Sequence, residues 1–305
     1  MKKVSLLLCA ISLILFSSIS INARENKDIY FVNMNDVELT EVQYNNLLKG
    51  FSHDTINTMS EEMINILKDD SNIKKITTTK YVETSTRYIN GHPLNVSERQ
   101  LSMNEFNASP STSIIVPSSN SRFAANDYVE TNYKKITLDV TYGASVSTKF
   151  VTLTNIWKTI PKTKSFDVLA IAPGAASASF NFSGHRSGYQ KWDGNTVNYD
   201  VNSDNWKLVN SNTVWKKGLG LSQNLVDNTT TSLENSITVV FLCGADPFPV
   251  RASYQHATSD VTLAQSQNYT LGTDGMGNLI KFASSIASKY DNTPGLYAVL
   301  TLLEK

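Results

Sequence analysis

Cysteine is nearly missing from this sequence. Of two in 305 residues, Cys9 sits in an apolar amino-terminal run and Cys243 in the stretch Ile237-Thr-Val-Val-Phe-Leu-Cys243. One remaining thiol cannot close an internal disulfide, so stability has to come from packing. Cys243, set in so apolar a run, reads as a buried thiol, not a nucleophile. Charge is also sparse, at 18% of residues against the usual quarter or so, and balanced at 27 basic and 27 acidic side chains. No broad basic surface follows, which argues against nucleic acid or an anionic lipid surface as partner. The four histidines, His53, His92, His185 and His256, are far apart, and neither His-Glu-x-x-His nor a cysteine pair occurs. Zinc therefore has no local signature. There is no Gly-x-Ser-x-Gly elbow. Gly218-Leu-Gly220 lacks the Lys-Ser/Thr of a phosphate loop and reads as a strand irregularity. No cofactor is expected.

Ser, Thr and Asn fill the space that charge leaves, a bias that suits strand faces and loops. The first residues are the exception. Lys2 and Lys3 precede an apolar run from Val4 to Phe16, and small or polar residues follow to Ala23. This is the pattern of a cleavable signal peptide, with cleavage expected after Ala23 and Ser20 as the alternative. The run is short for a membrane span, so no stable span is expected. Cys9 follows Leu8 in mid-run, which does not suit lipid attachment. Removing residues 1–23 leaves 25 basic against 27 acidic residues, about two net negative charges. Five Asn-x-Ser/Thr triplets, at Asn95, Asn107, Asn181, Asn228 and Asn268, are what chance gives in so Asn-rich a chain. The expected location is outside the cell.

Residues 24–106 read as a small α+β region. Thr40 with Gln43 has capping-box spacing, with Val42, Tyr44, Leu47, Leu48 and Phe51 as a helical stripe ending at Gly50. Ser60, followed by Glu61 and Glu62, starts a second helix carrying Met63, Ile64 and Leu67. A helical hairpin is expected. Ile73 to Ile89 and His92 to Met103 read as a β-hairpin turned at Asn90-Gly91. Residues 107–126, rich in Ser, Asn and Pro, read as a linker.

Residues 127–305 read as one β-rich domain. Ile136, Leu138, Val140 and Tyr142 alternate with polar residues, as do Ala176 to Phe182 and Val250 to His256, while Val168–Ala172 and Ile237–Leu242 are nearly continuous apolar runs. Leu279, Phe282, Ala283, Ile286 and Tyr290 keep a helical period, with Asp274 or Asn278 as cap. The expected fold is mainly β: a β-sandwich or jelly-roll-like carboxy-terminal domain with one helix, preceded by the small α+β region.

Trp157-Lys-Thr-Ile-Pro161 with Ser165-Phe-Asp-Val168, Ser253-Tyr-Gln-His-Ala257-Thr, and the amino-terminal Leu39-Thr-Glu-Val-Gln-Tyr-Asn-Asn-Leu-Leu-Lys-Gly-Phe-Ser52 resemble uncharacterised secreted proteins of Gram-positive, clostridial-type bacteria. The resemblance implies export and a shared fold. It brings no active site.

The segment most like a site is Ser183 to Gly194. Its glycines read as a loop, and His185, Arg186, Tyr189, Trp192 and Asp193 offer stacking surface and polar groups for a carbohydrate or peptide ligand. An ordinary connection covering a sandwich edge has the same composition. Asp200-Val-Asn202-Ser-Asp204 opens like a calcium loop, but Asn205 and Ser211 replace the required Gly and Glu, so a polar turn before Trp206 is the better reading. His256 falls in the apolar phase of its strand, as a hydrogen-bonded core histidine does. Three functions remain in order: a non-catalytic binding or envelope-associated protein, an extracellular hydrolase with a site near His185, and a membrane-active, toxin-like protein using the amphipathic strands 128–157.

Overall fold

A computed structural model describes residues 28–90, 92–112, 114–117, 128–145, 147–174, 181–210, 216–226, 230–243, 247–272 and 278–300. The expected signal segment, Ala176 to Phe180, Ser211, Asn228 and Asp274 lie outside them.

The amino-terminal part opens with a short pair, β1 (Phe31–Val32) and β2 (Glu38–Leu39), and three helices, α1 (Glu41–Leu48), α2 (His53–Thr58) and α3 (Glu61–Leu67). Thr40 and Gln43 form the expected capping box, and Ser60 caps α3. The sequence reading has two helices here; α2, capped by Ser52, is a third. Val42 and Leu48 belong to the expected stripe but point to solvent, leaving Tyr44, Leu47 and Phe51 to pack inward.

The rest is a sandwich of two antiparallel sheets. The strands of the larger are β3 (Lys74–Ile89), β4 (His92–Leu101), β5 (Ile114–Pro117), β6 (Tyr128–Tyr142), β7 (Thr148–Trp157), β9 (Asn181–Trp192), β10 (Asn195–Tyr199) and β13 (Leu233–Leu242), and helix α4 (Met103–Ala108) follows β4. Their order is β10-β9-β13-β7-β6-β3-β4, with β5 beside β6. The smaller sheet contains β8 (Phe166–Pro173), β11 (Trp206–Asn210), β12 (Lys216–Asn224), β14 (Phe248–Gln255) and β17 (Leu296–Leu300), in the order β11-β12-β8-β14-β17. Segment 107–126 does not divide the sheets. β3 pairs with β6 in continuous register from Lys74↔Tyr142 to Tyr88↔Tyr128, so the hairpin before that segment and the strand after it share one sheet.

The inner faces enclose a common core. Ile136, Leu138 and Val140, Val151 and Leu153, and Ile237 and Val239 meet Leu169 and Ile171, Leu219 and Leu221, and Val250 and Ala252. Cys243 is buried in this cluster. Each outer face is partly covered. Helices α1–α3 pack on the large sheet through Phe51 against Phe150, with ring centres 5.3 Å apart, and through Val240. The carboxy-terminal elements α5 (Leu263–Ser266), β15 (Tyr269–Leu271), β16 (Ile280–Phe282) and α6 (Ser284–Ala287) pack on the small sheet against Val168, Ala170 and Ala172. The helix expected over 279–290 is therefore strand β16 and one helical turn. The apolar spacing that suggested a helix serves a layer buried against a sheet: Leu279 and Ile280 enter it as strand residues, Ile286 and Tyr290 from beyond. Asn278 donates to Asn292. At Gly218 φ is +135°, and the register of β11 against β12 shifts beside it, the irregularity expected there. No described helix is long and apolar enough to cross a membrane.

Candidate functional site

The expected loop 183–194 is a strand. β9 is hydrogen-bonded to β13 on one edge and β10 on the other, and only Asp193 and Gly194 form a turn. Both have positive φ, +43° and +84°, the type I′ pattern whose twist suits a two-residue hairpin. The glycines misled the reading. Gly188 is an inner-face residue that lets Leu221 approach, where a Cβ would stand 2.4 Å from its Cδ2.

Strand alternation then scatters the five candidates. Arg186 and Trp192 share one face. The Arg186 guanidinium lies over the Trp206 ring at 5.4 Å and donates to the Val201 carbonyl at 2.6 Å, while Trp192 packs against the sandwich core. Tyr189 is on the opposite face, buried, and donates to the Glu234 carboxylate at 2.5 Å. His185 shares the phase of Tyr189 and interacts electrostatically with Glu62. Asp193 closes the turn, accepting from the backbone N–H groups of Thr231 and Ser232 and from the Thr231 hydroxyl. The five do not line one pocket. Asp200 likewise builds the expected turn before β11, with Oδ1 accepting from Asn202 N–H and its carbonyl from Trp206 Nε1. Among the described residues no three His, Cys, Asp or Glu side chains gather as a metal-ligand set.

A concavity does exist on that outer face, nearer the sheet centre. It is an open trough of about 390 Å³ between the Gly50–Thr55 segment and strands β3, β6 and β7. Cross-strand register lays its floor in rows. Thr79, Thr137, Thr154 and Ser236 stand side by side, and so do Thr77, Asp139, Thr152 and Thr238. Neighbouring strands run about 4.8 Å apart, and alternate residues along a strand set the rows about 6.7 Å apart. Ser236 and Thr238 end the rows buried, their hydroxyls hydrogen-bonded to those of Thr154 at 3.1 Å and Thr152 at 3.0 Å, so the open floor is carried by β3, β6 and β7. Thr77 donates to Asp139 at 2.5 Å, and Lys75 lies 3.8 Å from the same carboxylate. Lys191 and Asp54 pair at 2.7 Å behind it. Burial, opposed by the Tyr189 hydroxyl, raises the Glu234 carboxyl above its ordinary range. Gly50 brings the wall close, its carbonyl accepting from Thr141 Oγ1 at 3.0 Å. The floor carries both signs of charge and many hydroxyls, and no aromatic plate. Sequence reasoning missed it, although the alternation Thr77-x-Thr79, Thr152-x-Thr154 and Ser236-x-Thr238 was legible.

A second polar cluster is sealed inside one end of the sandwich. Beyond Ile136 the inward phase of β6 continues with Lys134, Asn132 and Glu130, all buried. Lys134 Nζ meets the Asp291 carboxylate, and neither side chain is exposed. Asp291 Oδ1 accepts from the backbone N–H of His256 at 2.9 Å. Asp167 accepts from His256 Nδ1 and from Ala257 N–H, both at 2.9 Å, and from the Tyr254 hydroxyl, which in turn accepts from Trp157 Nε1 at 3.0 Å. His256 is thus the hydrogen-bonded core histidine that its strand phase predicted.

No family model matches this chain, and no curated protein matches it. Among solved structures, it is similar to the collagen-binding domain of the surface protein RspB of Erysipelothrix rhusiopathiae, at 8% identity over 78% of this chain and 93% of that one, with a TM-score of 0.26.

Proposed function

We propose that this protein is exported from a Gram-positive cell and acts outside it as a non-catalytic binding protein, holding a polar polymer in the trough on its large sheet. The observation that carries the reading is the ordered hydroxyl floor. Two rows across β3, β6 and β7, Thr79-Thr137-Thr154 and Thr77-Asp139-Thr152, flanked by Lys75 and Lys135, offer repeated hydrogen bonds to an extended chain. A rigid β face holds those donors and acceptors in place before binding, so little side-chain freedom is lost. The lining Phe51 is buried against Phe150, which leaves hydroxyls and charges to grip a ligand, and a polysaccharide fits that better than a peptide. The candidates around His185 are divided between two faces of a strand, which removes the motive for a hydrolase there.

The test pairs Thr79→Val with Thr137→Val. These neighbours face each other across β3 and β6, and no other described residue engages either hydroxyl. At about 1 kcal/mol per lost hydrogen bond, the double variant should bind envelope polysaccharide roughly thirtyfold more weakly with its melting temperature little changed. Glycan-array and calorimetric titration read this directly. Equal binding by wild type and variant would overturn the trough as the site.

A further inference from the structure

The sealed cluster at the polar end of the sandwich has the composition and geometry of a reaction centre. We propose that Lys134 Nζ and Asp291 Cγ become joined as an amide after the chain folds, with the Glu98 carboxyl shuttling the proton, so that the finished protein carries an internal covalent cross-link between its two sheets.

Four features carry this. First, Lys134 and Asp291 are in direct contact and wholly removed from solvent. A buried ion pair is costly, and proton transfer within it gives a neutral amine facing a neutral acid. Second, the site is closed to solvent: both side chains are fully buried, and the Trp157 and Tyr254 rings stand 5.2 and 5.3 Å from Lys134 Nζ. A site that shuts out bulk solvent keeps hydrolysis from competing with condensation. Third, the two oxygens of Asp291 differ. Oδ1 is held by the His256 backbone N–H, where a developing negative charge would be stabilised, and Oδ2 faces the amine. Fourth, Glu98 is available. Its Oε1 is fixed by the Thr293 hydroxyl at 2.6 Å, while its buried Oε2 has no hydrogen-bond partner. Its charge interacts with both Asp291 and Lys134. Burial first, and Asp291 second, push this carboxyl up to about 7, where it can both accept and return a proton.

The step balances. The Lys134 amine attacks Cγ, an N–C bond forms, and the electron pair of the C=O bond moves to Oδ1. Glu98 takes a proton from the attacking nitrogen and delivers it to the departing Oδ2 hydroxyl. The Cγ–Oδ2 bond breaks, Oδ1 regains its double bond, and one water leaves. No oxidant or co-reactant is needed. Lys134 belongs to β6 in the large sheet, and Asp291 immediately precedes the run into β17 in the small one. The bond would clamp the sandwich across residues 157 apart in sequence.

This inference is independent of what the trough binds. Intact-mass spectrometry of the purified exported chain should give a mass lower by one water than its sequence requires. Tryptic digestion should yield one branched peptide joining the Lys134 and Asp291 segments, with no cleavage after Lys134. Lys134→Arg and Glu98→Gln should each restore the full mass, with circular dichroism verifying that both are folded. A wild-type protein of full sequence mass, with the two segments recovered as separate peptides, would overturn the proposal whatever the variants do.

Discussion

Replacing Asp167 by asparagine isolates the electrostatics of the polar end. The carboxylate is fully buried and accepts from His256 Nδ1, Ala257 N–H and the Tyr254 hydroxyl. Hydrogen bonds to a charged acceptor are worth about 1.5–3 kcal/mol and neutral ones about 1. Asparagine keeps the volume but turns one oxygen into a donor and discharges the other. The expected loss is about 3 kcal/mol near pH 6, comparable to the roughly 3–5 kcal/mol for breaking a buried ion pair. The pH dependence is the sharper measurement. Burial alone would lower the His256 pKa, but the charge of the Asp167 carboxylate and its hydrogen bond outweigh it, so the folded imidazole holds its proton more tightly than the unfolded one. A raised pKa contributes stability that is complete below the unfolded value of about 6.5 and is lost as pH climbs through the folded value. In Asp167→Asn the chief counter-charge is gone and burial dominates. The histidine contribution then reverses sign, and stability grows as pH rises through about 6.5. Urea unfolding of both proteins from pH 5 to pH 9 measures the difference, and subtraction cancels Glu98, which also loses stability as pH rises. The variant's deficit should shrink steadily above pH 6.5. A deficit constant across the range would refute the reasoning.

Other expectations are quickly tested. If Lys134 and Asp291 are joined, the denatured chain keeps a closed loop spanning 157 residues, worth about 5 kcal/mol of stability in the chain-entropy account. Wild type should then outlast Glu98→Gln in urea and migrate differently on a denaturing gel, and co-migration would count against the loop. Gly220→Ala places a Cβ 2.3 Å from the Tyr269 hydroxyl and 2.8 Å from the Leu169 carbonyl; overpacking of this kind costs about 1–3 kcal/mol, read as a lowered melting temperature. Gly194→Ala meets no neighbouring atom but must hold φ at +84°, so it should cost only about 1 kcal/mol. Cys243, 2% exposed, should react with a thiol reagent only on unfolding.

Period-2 alternation made the sandwich legible, because residues such as Ile136, Leu138 and Val140 face one core in every strand that carries them. Caps were legible for the same local reason: Thr40 with Gln43, and Ser60, act within one helical turn. Two local patterns misled. Glycines at 184, 188 and 194 suggested a loop, whereas Gly188 relieves a contact between sheets and only Gly194 turns the chain. The apolar spacing over 279–290 suggested a helix because burial against a sheet can reproduce that spacing in irregular chain. The trough and the sealed cluster were hidden for a different reason. Thr79 and Thr137 become neighbours only through the β3–β6 register, and Glu98, Lys134 and Asp291 converge from β4, β6 and the approach to β17. Sequence spacing carries no information about such meetings. One clue was available: Lys134 falls in the apolar phase of β6, and a lysine on the inner face of a sandwich requires a partner.

Lys134 ties the sealed cluster to the trough through β6. Among the described residues no disulfide locks the sandwich, yet a binding face of aligned hydroxyls of the kind proposed works only if the sheet beneath it stays in register. β6 carries both demands. Thr137 and Asp139 point outward to the trough floor, while Lys134 points inward to Asp291. An amide at Lys134 would fix the strand that positions the trough, and unlike a disulfide it would be indifferent to reductants. Heating with and without a thiol reductant should therefore give superimposable unfolding curves for wild type, whereas Lys134→Arg should melt earlier and lose trough binding at a temperature where wild type retains it. If the variant kept binding up to the wild-type melting point, the link between clamp and binding face would be broken even with the amide confirmed.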